Sequence, residues 1–263
     1  METLLPQAPG KRIEYIDALR GFTMILVVLY HVSGYCAGII GDVPNYHHYL
    51  QQIRMPLFFL ISGFVLYKID TVWDVKYIFK FLKKKFVVQI LSTFFFFTLY
   101  THYMEKDFMV GTRDLYKYGY WFTYILFFYY IFYSIIRFLF RRYEDYVIVV
   151  IAALFYIINW PPLFQAIPLS DSIKAILSVP FWYYFCFFLL GTLLKKHFDY
   201  VQDMLDKWVL ITICVLSYFL LNIYNDVIPS SGAIGLLKGF CQTMTGVVIV
   251  FSFFRANQSS ILS

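Results

Sequence analysis

Eight long apolar segments restrict this chain to a narrow set of folds. They occupy roughly residues 21–40, 49–67, 86–103, 119–137, 146–160, 175–194, 208–224 and 233–254. Hydrophobic residues make up 60% of the chain and charged residues 14%, whereas soluble domains carry about 25% charged residues. In lipid only helices and closed barrels satisfy their backbone polar groups, and these segments are too long and continuous for barrel strands. The sequence therefore predicts one domain over residues 1–263, an all-α polytopic transmembrane bundle of about eight helices.

Lysine and arginine residues cluster on alternate connections between the segments. The connection at 68–85 carries six lysines: Lys68, Lys76, Lys80, Lys83, Lys84 and Lys85. This bias predicts that both termini lie in the cytoplasm and that the chain is a multi-pass protein of the cytoplasmic (inner) membrane. It also explains the net charge of +6 as a topology signal rather than a nucleic-acid surface. The six lysines admit two interpretations, attraction to anionic lipid headgroups or a docking surface for a phosphorylated donor.

His31 is an ionisable side chain inside the apolar run of the first segment. Because such a residue is costly in a membrane, His31 is either functional or a neutral side chain hydrogen-bonded inside the bundle. Arg20 lies eleven residues earlier, about 16 Å along a helix, which predicts an imidazole near the membrane midplane and Arg20 at the cytoplasmic face. Asp17 can pair with Arg20 on one helical face. An imidazole can accept a proton near neutral pH, as a general base must.

The second segment is short for a membrane span unless the residues from Tyr49 to Arg54 extend it. An arginine at that depth either faces protein and water or snorkels to the interface. The adjacent His47 and His48 cannot share one helical face, and the four cysteines lie singly in apolar segments. We therefore expect no metal site and no disulfide framework.

Three motifs in this part of the chain resemble the acyltransferase 3 family of integral membrane acyltransferases, which includes bacterial O-acetyltransferases of surface polysaccharides. The first is YIDALRG at 15–21, followed by the apolar run to His31. The second is RMPLFFLISGF at 54–64, and the third is GYWFTYILF at 119–127, similar to the Trp-Phe element that opens a later helix in the family. The motifs stand in the expected order and cover much of the first half of the chain.

The resemblance implies an acyl-coenzyme A donor, most simply acetyl-coenzyme A, that enters from the cytoplasm and is a co-substrate rather than a bound cofactor. It implies a carbohydrate or glycolipid hydroxyl as acceptor and His31 as the catalytic base. Arg20 belongs to the same motif and is expected at the donor end, where Lys84 and Lys85 would gather the donor's phosphates. Supporting roles are expected for residues of the three motifs: Asp17, Arg54, Ser62 and Trp121.

Two departures from the family pattern bear on these expectations. Members often carry Arg-x-x-Arg on the third helix, where this chain has Lys85 and Val88, so the second cation is missing. Members commonly have ten helices, so we interpret this chain as a C-terminally shortened member that lacks the last two. Two alternatives stay open: an inactive truncated member, and a transporter or flippase of a glycan precursor with a polar pathway marked by His31, Arg54 and Arg20.

Overall fold

The computed structural model describes residues 13–36, 45–68, 71–158, 168, 170–176, 181–224 and 232–257. Within these residues the regular secondary structure is entirely helical, which confirms the predicted all-α bundle. The elements are α1 (Glu14–Cys36), α2 (Asn45–Leu66), α3 (Val75–Lys85), a π-helical turn (Phe86–Leu91), α4 (Ser92–Tyr103), α5 (Phe108–Arg113), a 3-10 turn (Lys117–Gly119), α6 (Trp121–Leu139), α7 (Glu144–Ile158), α8 (Asp171–Ile176), α9 (Tyr184–Lys196), α10 (Phe198–Leu205), α11 (Trp208–Ile223) and α12 (Gly232–Ala256). Each of the eight predicted segments contains a helix.

Four of the described helical stretches are long and apolar enough to cross a membrane. They are Glu14–Ser33, Val75–Tyr103, Trp121–Leu139 and Gly232–Ala256. A fifth is obtained if α10 and α11, which are bent by 75° at a short break, count as one span. Many large apolar side chains on these helices are exposed, including Ile25 and Val28 on α1 and Phe94 on α4. A helical bundle with an apolar outer surface is typical of a multi-pass membrane protein.

Two expected boundaries are wrong. The connection at 68–85 was expected to be a loop, but α3 begins at Val75 and runs through the π-helical turn into α4. Asp74 caps α3, because its side chain accepts a hydrogen bond of 2.7 Å from the backbone nitrogen of Tyr77. The segment at 175–194 comprises the end of α8 and most of α9, which ends two residues later at Lys196, and residues 177–180 lie outside the described part.

The centre of the bundle is the crossing of α2 with α9, where two glycines allow the backbones to approach closely. A Cβ atom on Gly63 would overlap the carbonyl oxygen of Phe188, and one on Gly191 would overlap that of Leu60. Small residues at such crossings let membrane helices gain van der Waals contact. Phe59 of α2 is completely buried beside this crossing and packs against Tyr129 of α6. The helix that carries Arg54 and Ser62 is thereby fixed at the core.

An ion cluster joins α6, α7 and α9 at the end of the bundle where α6 finishes. Glu144, which is only 3% exposed, forms ion pairs with Arg137 and with Lys196. Asp145 forms a second pair with Lys196 and lies 2.9 Å from the Nε2 atom of His197. A buried carboxylate needs partners of this kind, because desolvation of a lone charge is costly. Sequence analysis did not identify this cluster, since its members come from three separate segments.

Candidate functional site

The cationic residues predicted to bind a donor line one cavity between α1, α2, α3 and α6. This cavity, which we call the lysine cavity, has a volume of about 460 Å³. Its lining includes Arg20, Ser62, Lys68, Lys80, Lys84 and Lys85, together with Phe81, Val88 and Tyr130. The three residues expected to bind the donor, Arg20, Lys84 and Lys85, therefore line one cavity, together with Ser62, for which a supporting role was expected.

The charges of the lysine cavity are held by short local contacts. Arg20 lies 3.8 Å from Asp17, as their spacing predicted, and its side chain is 59% exposed. The ammonium group of Lys85 lies 4.3 Å from the centre of the Tyr130 ring, a cation–π arrangement that holds it at the cavity wall. These cations therefore stay accessible to an anionic ligand that enters the cavity.

His31 lines a second cavity of about 450 Å³, which we call the histidine cavity. Gly119, whose φ of +95° is a backbone conformation that favours glycine, packs against the ring, since a Cβ there would lie 3.4 Å from His31 Cε1. The polar lining includes Ser92 and the hydroxyls of Thr93 and Thr123, which are 2.8 Å apart. The histidine side chain is half-buried and faces a protein-lined space.

Val88 lines both the lysine cavity and the histidine cavity and lies in the π-helical turn between α3 and α4. Such turns are rare and often occur at functional sites. The helix from Val75 to Tyr103 thus provides one wall that runs from the lysines to the imidazole.

The ring of Tyr30 contacts both Arg54 and His31. The guanidinium carbon of Arg54 is 3.9 Å from the centre of the Tyr30 ring, and the Tyr30 and His31 rings are 5.6 Å apart, edge to face. The positive charge of Arg54 acts electrostatically on His31. The buried Nε atom of Arg54 has no hydrogen-bond partner among the described residues. Arg54 therefore faces protein, as one of the two sequence interpretations expected.

Ser62 and Trp121 have packing contacts that limit their roles. The Ser62 hydroxyl donates a hydrogen bond of 2.8 Å to the carbonyl oxygen of Phe58 on its own helix. Trp121 stacks on Phe181 at 3.8 Å between ring centres and also packs near Tyr184. Trp121 is absent from the lining of both cavities, so its contacts are those of an aromatic packing residue that orients the start of α6.

Sequence analysis missed Lys117, which lies in the loop before α6. Only 8% of Lys117 is exposed, and its ammonium group donates a hydrogen bond of 3.0 Å to the carbonyl oxygen of Ala175. Burial lowers the pKa of Lys117 to about 8. The positive φ values of Lys117, Tyr118 and Gly119 hold this loop against the histidine cavity, which Tyr118 and Gly119 line. No sequence periodicity signals such a loop.

The side chains of His47 and His48 lie outside the described part of the structure. Three of the four cysteines are described, Cys186, Cys214 and Cys241, and all three are free thiols.

Comparison with protein families gives a match to the acyltransferase 3 family: its model, described as an acyltransferase domain, matches residues 13–261. No curated protein and no solved structure shows a significant match to the chain.

Proposed function

Because the chain belongs to the acyltransferase 3 family, we propose that it moves an acyl group, which we take to be acetyl, from acyl-coenzyme A to a hydroxyl of a cell-envelope glycan or glycolipid. The observation that carries this proposal is that the lysine cavity and the histidine cavity share the lining residue Val88. A donor with phosphates at one end and a thioester at the other suits two adjacent cavities, one cationic and one with an imidazole.

Donor binding is assigned to the lysine cavity. Arg20, Lys84 and Lys85 would attract the nucleotide phosphates, with arginine's planar fork suited to phosphate oxygens. The arm of the donor would then pass Val88 and bring the thioester towards His31. The missing second arginine of the family motif falls at Val88, so the donor phosphates rely on the lysines instead.

His31 is assigned the proton transfer. Its imidazole takes the proton of the acceptor hydroxyl while the hydroxyl oxygen attacks the thioester carbonyl. A carbon–oxygen bond forms, the carbon–sulfur bond breaks, and the proton passes to the departing coenzyme A thiolate. A variant in two half-reactions, with the acyl group carried on the His31 ring, uses the same residue as a nucleophile.

Arg54 is assigned the stabilisation of negative charge on the carbonyl oxygen. A cation fixed next to the reacting groups in a water-poor site stabilises an oxyanion more strongly than water does. The support for this role is the stacking of the guanidinium on Tyr30 and its buried Nε atom, which has no hydrogen-bond partner in the described part of the chain.

The test uses membranes that contain the full chain and acetyl-coenzyme A labelled in the acetyl group. Wild type should transfer label to glycan or glycolipid, whereas His31→Ala and His31→Gln should abolish transfer at unchanged membrane levels. His102→Ala is the matched control, because His102 is exposed at the end of α4 and lines neither cavity. Retained transfer in the His31 variants would rule out the assignment, and movement of a glycan precursor without label would favour transport.

A further inference from the structure

Gln89 and Tyr130 each line one of the two cavities and interact with each other. Gln89 follows Val88 in the π-helical turn and lines the histidine cavity, whereas Tyr130 of α6 lines the lysine cavity. The Gln89 side chain interacts with the Tyr130 hydroxyl. A ligand long enough to extend from one cavity to the other would therefore pass close to this pair.

The carbonyl oxygen of the Gln89 side chain is unsatisfied. Its Oε1 atom is buried and has no hydrogen-bond partner among the described residues. A buried acceptor without a donor costs free energy comparable to a lost hydrogen bond, so native structures rarely keep one without a reason. Here the acceptor lies next to the passage between two cavities, where a ligand with an N–H group would satisfy it.

The donor of the proposed function carries such groups, because two secondary amides lie between the phosphates and the thioester of acyl-coenzyme A. An arm that reaches from the lysines to His31 brings an amide past Val88. We propose that Gln89 is a positioning residue that binds an amide N–H of this arm through Oε1, after its side chain turns away from Tyr130; this inference rests on the proposed function. The ammonium group of Lys85 lies 4.3 Å from the centre of the Tyr130 ring and is therefore next to the same pair. In this proposal Lys85 binds the phosphate end of the donor.

Binding measurements on the purified full-length protein separate the arm from the nucleotide. The ligands are coenzyme A, which has the arm, and adenosine 3′,5′-bisphosphate, which has phosphates but no arm. Gln89→Leu keeps the approximate size of the side chain and removes its hydrogen-bond acceptor. It should weaken coenzyme A binding about tenfold, which corresponds to about 1.4 kcal/mol of binding free energy. Binding of adenosine 3′,5′-bisphosphate should be unchanged. Lys85→Met should weaken both ligands.

Gln202→Leu is the matched control, since Gln202 lies on α10, lines neither cavity and donates a side-chain hydrogen bond of 3.4 Å to the nearby Asp199 carbonyl oxygen. If Gln89→Leu does not fold, Gln89→Met serves in its place. Equal loss for both ligands, or no loss for either, would overturn the role of Gln89. Wild-type protein that binds neither coenzyme A nor acetyl-coenzyme A would instead overturn the proposed function, and the two failures are thereby distinguishable.

Discussion

Replacing Lys85 with Met should raise the KM for acyl-coenzyme A and leave kcat nearly unchanged. Lys85 is half-buried, lines the lysine cavity with Arg20, and is held over the Tyr130 ring. Its contribution to phosphate binding does not change during the reaction, because the phosphates lie away from the thioester. An interaction of equal strength in the ground state and the transition state appears in KM rather than in kcat.

The size of the effect follows from the position of each lysine. Two unit charges about 4 Å apart attract by about 1 kcal/mol in bulk water and about 4 kcal/mol near a protein surface. For the half-buried Lys85 we expect a KM increase between these limits, from about fivefold to several hundredfold. Lys84 is exposed and more strongly screened, so Lys84→Met should cost at most about fivefold.

Lys83→Met provides the control on the same helix. Lys83 has the same charge and lies beside Lys84, but it is exposed and does not line the lysine cavity. The assay is initial-rate acyl transfer against acyl-coenzyme A concentration at two ionic strengths, since salt should weaken the Lys84 effect more than the Lys85 effect. Equal losses at Lys83 and Lys85, or a fall in kcat with KM unchanged, would refute a donor site in this cavity.

Three further predictions concern other parts of the molecule. Gly63→Ala should lower the free energy of unfolding by about 1–3 kcal/mol, because the added methyl group overlaps the Phe188 carbonyl. The measurement is thermal denaturation in detergent, with Gly21→Ala as the control because the space around Gly21 is open. Glu144→Gln should destabilise the protein by about 3 kcal/mol, because Arg137 and Lys196 lose their buried counter-charge; an unchanged melting temperature would contradict this. Lys117 should be acetylated by acetic anhydride with a midpoint near pH 8, because the neutral amine is the reactive form and burial lowers the pKa of Lys117 to about 8. Peptide mass spectrometry that gives a midpoint at the ordinary lysine value of about 10.4 would exclude the shift.

The sequence predicted the helical class correctly, and the three residues that it grouped as donor-binding, Arg20, Lys84 and Lys85, line one cavity. Long apolar segments dictate helices in lipid whatever their tertiary contacts, and the spacing of Asp17 and Arg20 on one helix decides their pairing. Lys84 and Lys85 could be grouped with Arg20 because charged side chains of one membrane side tend to share a face of the bundle. Local rules were sufficient in these cases.

The histidine cavity could not be predicted from the sequence, because its walls come from separate helices and a loop. Gly119 reaches His31 through a run of positive φ angles that leaves no periodic pattern. The place of Tyr30 between Arg54 and His31 depends on how α1 and α2 pack, which the two segments do not specify individually. Trp121 belongs to a family-like motif and yet stacks on Phe181, since a motif fixes a residue type without fixing what that residue contacts.

The π-helical turn determines which way the long helix presents its side chains. Positions 84, 88, 92, 96 and 100 line the two cavities, a spacing of four residues. In a regular α-helix each step of four overshoots a full rotation by about 40°, so these positions would wind by about 160° from the first to the last. A wider turn after Lys85 absorbs part of that rotation and keeps one continuous line of side chains along the two cavities. Deleting a single residue from 86–91 would therefore turn the distal half of the helix by about 100°, pointing Phe96 and Tyr100 elsewhere while the segment remained apolar enough to insert.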